Sequence, residues 1–202
     1  MHIEDIIFKI SDNFTVSWDP EKISADFPTI EQADQSPYFD PTGKTHWQLY
    51  TNDVFFGRNF YQNHKVECEE VAEKLKIIQE QLRNDQNVPM NYLTETFLNH
   101  EILPGRVNIL KTVPGKDIKL HNDARRDLCI NIGLKNSNKW ATVISKDSDI
   151  ENFDKSQKDI FLMNDGSAYI ILINNPHTAK CLDKSDLVST RFLITYTITN
   201  YN

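Results

Sequence analysis

Apolar residues recur along the chain with two different periods, and the change from one to the other divides it. Between residues 66 and 84, Val71, Leu75, Ile78 and Leu82 stand four, three and four apart with Glu and Lys between them, which is one apolar stripe of an α-helix. A second, shorter helix is expected from Pro89 to about His100, because proline suits a first helical turn and Leu93 and Phe97 are four apart. Ahead of these helices the pattern is mixed. Pieces at Ile6–Ile10, Phe14–Trp18 and His46–Tyr50 read as strands, separated by turn-rich text such as Ser36–Gly43. From Arg106 the helical period disappears. Runs rich in Ile, Val, Leu, Thr and Tyr at 106–113, 118–121, 127–134, 140–145, 158–163, 167–174, 176–182 and 191–199 predict eight strands divided by polar turns.

Eight short strands in this second half predict a barrel or a double-sheet jelly roll, so the expected class is α+β, mainly β. The last run shows how the sheet faces. Phe192, Ile194, Tyr196 and Ile198 share one side, and Arg191, Leu193, Thr195 and Thr197 share the other. The more apolar side is expected to meet the helices, leaving the mixed side to line the interior. No internal repeat, low-complexity tract or linker interrupts the chain. A single domain over 1–202 is therefore expected, with N-terminal strands and buttressing helices in 1–103 and the β core in 104–202.

Composition narrows the class without naming a task. With 202 residues, 39% hydrophobic and 25% charged, the chain suits one soluble globular domain. Its longest apolar stretch, Tyr169–Ile173, is five residues, far short of the ~20 that a membrane-spanning helix needs. The N-terminus shows no basic start followed by an apolar run, so a cytoplasmic address is expected. Cys68, Cys129 and Cys181 lie far apart with no Cys-x-x-Cys pair, which argues against a disulfide framework or a zinc knuckle and for small buried hydrophobes. The net charge of −7 is uneven: 8 Lys+Arg against 18 Asp+Glu in residues 1–103, 8 against 3 in 104–139, and 6 against 8 in 140–202. A pI near 5.3 argues against a nucleic-acid-binding face, while the basic middle segment is suited to attract a small anion.

The chemistry sits in the β-rich half. His121 and Asp123 leave the end of the strand predicted at 118–121, and residues i and i+2 of an extended segment point to one side, so the two can converge. His177 follows 56 positions later, at the start of another strand, after Asn174-Asn-Pro176. Two imidazoles and one carboxylate on one face of a metal leave open positions, the ligand set of non-haem Fe(II) oxygenases. Arg191 comes 14 positions after His177, ahead of the apolar run Phe192-Leu-Ile. A guanidinium entering a barrel is costly unless it pairs with an anion, and its fork matches a carboxylate in two places.

The order His-x-Asp, distant His, then Arg resembles the 2-oxoglutarate- and Fe(II)-dependent dioxygenase superfamily over residues 104–199, on the text Leu120-His-Asn-Asp-Ala, Asn175-Pro-His-Thr and Ser189-Thr-Arg-Phe. That resemblance implies a double-stranded β-helix, the jelly roll shared with cupins. It also implies Fe(II) held by His121, Asp123 and His177, with 2-oxoglutarate and O₂ as cosubstrates. The distal carboxylate of 2-oxoglutarate would then lie on Arg191. The implied activity is hydroxylation of an unactivated C–H bond in a peptidyl side chain, amino acid or small metabolite, with release of succinate and CO₂. The run Asp165–Ile170 leading to Asn-Pro-His is similar to the aspartyl/asparaginyl β-hydroxylase-like and prolyl-hydroxylase-like branch. Arg191 favours the first side of that branch and Asp123 the second, and Asp123 also speaks against a halogenase.

Further residues enter by their faces. Asn131 shares the less apolar face of 128–134 with Cys129 and Gly133, suiting it to donate to the cosubstrate carboxylate beside the metal. Asn108, on one face with Leu110, is placed near the same cosubstrate. Arg125 and Arg126 are expected at the barrel mouth, either solvated or facing an anionic substrate. The aromatic run Val54–Tyr61 is a candidate substrate wall or core segment, and His46 and His64 are candidates for substrate loops. Two other functions share the same residues: a cupin-like metal enzyme that does not use 2-oxoglutarate, and a non-catalytic jelly-roll binding module.

Overall fold

A computed structural model describes residues 6–23, 47–51, 54–57, 60–112, 118–123, 127–182 and 190–198, those of 47–57 by their backbone. The first elements are β1 (Ile7–Ser11), α1 (Pro20–Ile23), β2 (Trp47–Thr51), β3 (Val54–Gly57), α2 (Phe60–Asn63), α3 (Lys65–Asn84) and α4 (Tyr92–Asn99). The β core follows as β4 (Val107–Thr112), β5 (Ile118–His121), β6 (Leu128–Lys135), β7 (Trp140–Ser145), β8 (Lys158–Leu162), β9 (Ala168–Leu172), β10 (His177–Cys181) and β11 (Arg191–Ile198). Each of the eight strands expected after Arg106 is present.

The chain deals these eight strands to two antiparallel sheets. The larger has the order β1-β9-β6-β11-β4-β3-β2 and the smaller β5-β10-β7-β8, so the chain crosses repeatedly between them. This is a double-stranded β-helix. Its large sheet is extended by N-terminal strands at both edges.

Helix α3 buries Val71, Leu75 and Ile78 of the stripe read from the sequence, together with Cys68 and Ala72, in one cluster with Ile109, Ile130 and Ile194 of the large sheet, and Leu82 is half-buried against it. The stripe therefore covers the outer face of that sheet, away from the smaller one. Helix α4 starts later than expected. Asn91 Oδ1 accepts from Leu93 N–H at 3.1 Å and Thr94 N–H at 3.2 Å, while Thr94 Oγ1 accepts from Asn91 N–H at 3.0 Å. That reciprocal cap satisfies the first-turn donors and leaves Pro89 before the helix rather than in it. Gln79 of α3 then donates from Nε2 to the carbonyl of His100 at 2.8 Å, tying the end of α4 to α3.

The expected strand Phe14–Trp18 is extended backbone without a ladder. Its donors go elsewhere: Phe14 N–H to Gly166 O at 2.6 Å and Ser17 N–H to the Glu70 carboxylate at 3.0 Å, so no sheet partner is required. Phe14 and Trp18 nonetheless fill the core. Close approach explains Gly133, where an added Cβ would stand 2.2 Å from Asn164 O. All three cysteines are buried thiols outside any disulfide, and burial pushes the Cys68 thiol up to about 12. No described helix is long and apolar enough to cross a membrane. The turn segment Ser36–Gly43, His46, Arg125 and Arg126 lie outside the described residues.

Candidate metal centre

The register of the small sheet brings the two histidines together. His177, the first residue of β10, stands opposite His121, the last of β5, and also opposite Ile144 on β7. Their ring centroids are 4.3 Å apart at 54°. Asp123 follows β5 without a ladder partner of its own. Its N–H donates to Ile173 O at 3.0 Å, which turns the carboxylate back until Oδ2 is 3.9 Å from His177 Nε2. One ligand atom from each of His121, Asp123 and His177 lies within 4.8 Å of the others.

His177 is oriented by the residues that precede it. Its Nδ1 is 2.9 Å from Asn175 O, so Nδ1 carries the proton toward that carbonyl and Nε2 presents its lone pair to the Asp123 side. Asn175, 4% exposed, is fixed in turn by its own Nδ2–H to Ser145 O at 3.0 Å, and Ser145 N–H donates to Pro176 O at 2.9 Å. The Asn-Pro-His text thus works as a brace that holds one imidazole.

These three residues line a cavity that opens to solvent between the sheets. Leu110, Ile118, Ile171 and Leu193 are among the lining residues, and Arg191 is the one Lys or Arg among the described ones.

Arg191 is 3% exposed at the start of β11, across the cavity from the small sheet. Its Nη2 donates to Thr112 Oγ1 at 3.3 Å, its guanidinium lies 4.8 Å from the Trp140 ring, and its Nε has no partner among the described residues. Burial pulls its pKa down to about 9, as expected for a cation without a facing carboxylate. An orphaned donor on a buried cation at a cavity wall fits an anionic ligand. The donor set of two imidazoles and a carboxylate likewise fits a divalent metal that accepts nitrogen and oxygen.

Of the other sequence candidates, Asn131 lines the cavity, and its Oδ1 accepts from Cys129 Sγ at 3.4 Å. Asn108 does not. It stands opposite Thr195 in the register, but Leu110 represents its strand in the wall. His64 lies elsewhere, stacked on Phe60 at 4.5 Å and 3.9 Å from Glu67. In the basic middle segment, Lys116, Arg125, Arg126 and the Lys119 side chain lie outside the described residues. Arg106, Lys111, Lys135 and Lys139 are absent from the lining, and Lys135 pairs with Glu21 instead.

Trp140 and Thr112 were not legible as site residues. Trp140 only opens the strand expected over 140–145, and Thr112 becomes a neighbour of Arg191 only through the β4–β11 register.

No family model and no curated protein matches the sequence. Among solved structures, YcfD, a ribosomal oxygenase from Escherichia coli, is similar over 98% of this chain and 48% of its own, with a TM-score of 0.52 and 11% identity. An oxidoreductase of the 2OG-Fe(II) oxygenase family from Burkholderia pseudomallei is similar over 48% of this chain and 43% of that one, with a TM-score of 0.37 and 14% identity. An oxalate oxidase in complex with a substrate analogue, glycolate, covers 47% and 42%, with a TM-score of 0.36 and 14% identity. The chain spans less than half the length of each of these proteins. The likeness to YcfD, which runs through nearly the whole chain, shows the fold.

Proposed function

We propose that this protein is an Fe(II)- and 2-oxoglutarate-dependent dioxygenase that hydroxylates an unactivated C–H bond, releasing succinate and CO₂. The observation that carries the reading is one cavity holding both His121, Asp123 and His177, with ligand atoms within 4.8 Å, and a buried arginine with an unpartnered Nε. His121, Asp123 and His177 would hold the metal, which supplies O₂ activation when bound. Asn175 keeps His177 in the tautomer that ligation needs. Arg191 binds the far carboxylate of 2-oxoglutarate, and Trp140 and Thr112 hold the guanidinium in place. The apolar wall from Leu110, Ile171 and Leu193 limits water around the reacting atoms.

Arg191 favours the aspartyl/asparaginyl β-hydroxylase-like side of the superfamily and Asp123 the prolyl-hydroxylase-like side. The substrate class proposed is a peptidyl side chain, amino acid or small metabolite, met by a single domain in the cytoplasm. Anaerobic titration of the purified protein with Fe(II) and 2-oxoglutarate tests the reading. A weak visible charge-transfer band is expected, and its absence, or an Arg191→Ala variant with unchanged 2-oxoglutarate affinity, would sink it. Succinate release over peptide and amino-acid pools, with a product heavier by one oxygen atom, then identifies the substrate.

A further inference from the structure

Thr195 is the second buried polar residue of the cavity wall left without a partner. It is 5% exposed, lines the cavity, and its Oγ1 makes no hydrogen bond. A hydroxyl buried in this way forfeits its water without compensation, which a ligand in the cavity would restore.

The strand registers place Thr195 on the metal-ligand side of Arg191. Arg191 meets Trp140, the first residue of β7, and four residues along β7 lead to Ile144, which stands opposite His177. Four residues along β11 from Arg191 lead to Thr195, on the same face. A second route reaches the same end. Asp123 N–H is bonded to Ile173 O, Ile171 stands opposite Cys129, and Asn131, two residues on, stands opposite Thr195. Both routes run between Arg191 and the metal-ligand group by way of Thr195, with Asn131 beside it and Tyr169, four residues before Ile173, opposite Asn131.

We propose that Thr195 is the metal-end anchor of the cosubstrate, its Oγ–H donating to the carboxylate that 2-oxoglutarate places beside His121, Asp123 and His177. The inference rests on the dioxygenase reading above. The cosubstrate is then gripped at both ends by one strand, by Arg191 at the far carboxylate and Thr195 at the near one.

The test is anaerobic binding of 2-oxoglutarate to the Fe(II)-loaded full chain, read from the visible band without turnover. Thr195→Val keeps the shape and removes the hydroxyl, and is expected to weaken affinity about tenfold and to move the band. Thr195→Ser is expected to restore both. An indifferent valine variant, or a serine variant as weak as valine, overturns the inference. Should melting show that the valine variant does not fold, Thr195→Ala takes its place with the same expectation. Wild-type protein that binds no 2-oxoglutarate overturns the dioxygenase reading itself, whereas tight wild-type binding with an indifferent valine variant overturns the inference alone.

Discussion

The two faces of β11 are built to opposite standards. On the outer face, Phe192, Ile194, Tyr196 and Ile198 are buried in the main core, and the one polar group there is satisfied: Tyr196 Oη accepts from Leu103 N–H at 2.9 Å. On the inner face, Arg191 Nε and Thr195 Oγ1 are buried without partners. One strand therefore stabilises the fold with one side and holds unmet hydrogen-bonding capacity on the other. Unpaired polar atoms cost stability, so the two on the cavity side of β11 mark where a ligand is expected.

Substitutions on the two faces should separate stability from binding. The largest effect is expected for Arg191→Met, which should weaken 2-oxoglutarate binding about a hundredfold or more. Its melting temperature without ligand should hold or rise, because an uncompensated buried cation is removed. A fall in melting temperature would instead place Arg191 with the core residues. Ile194→Ala should do the reverse, costing about 2–5 kcal/mol of stability and lowering the melting temperature by about 5–15 °C, with cosubstrate affinity unchanged in the folded protein. Tyr196→Phe should cost about 1–2 kcal/mol by orphaning Leu103 N–H, measured by urea denaturation.

The smallest effect concerns pH. Burial, and then Arg106, hold His100 below the ordinary histidine range, and its Nε2 is 3.2 Å from Tyr196 Oη. The unfolded chain therefore takes up this proton first as pH falls. Stability should be full above about pH 6.5 and decline as pH drops through the unfolded value toward the lower folded one. His100→Gln should flatten that part of the pH dependence of melting, and an unchanged slope would remove His100 from the outer-face account.

Much of this arrangement was legible along the chain. The eight strands were visible because each is a short β-branched run bounded by polar turns, and the α3 stripe because its period is helical. His121, Asp123, His177 and Arg191 could be picked out by order and residue type. Phe14–Trp18 misled because a period-two pattern records burial on one side and not whether a neighbouring strand exists to pair with. Asn108 shares a face with Leu110 but is not among the cavity-lining residues, because a shared face does not say how far along the strand a cavity extends.

What the sequence determined by itself was local: which segments are strands or helices, which side chains share a face, and which residue types are suited to hold a metal or an anion. Only the tertiary structure decided which of those faces meet. The β5–β10 register set His121 against His177, the β4–β11 register set Thr112 beside Arg191, and the crossing of the chain between sheets brought Trp140 to the guanidinium. The physical reason is that alternation and helical period are properties of neighbouring residues, whereas register between distant strands is settled by the packing of the whole core.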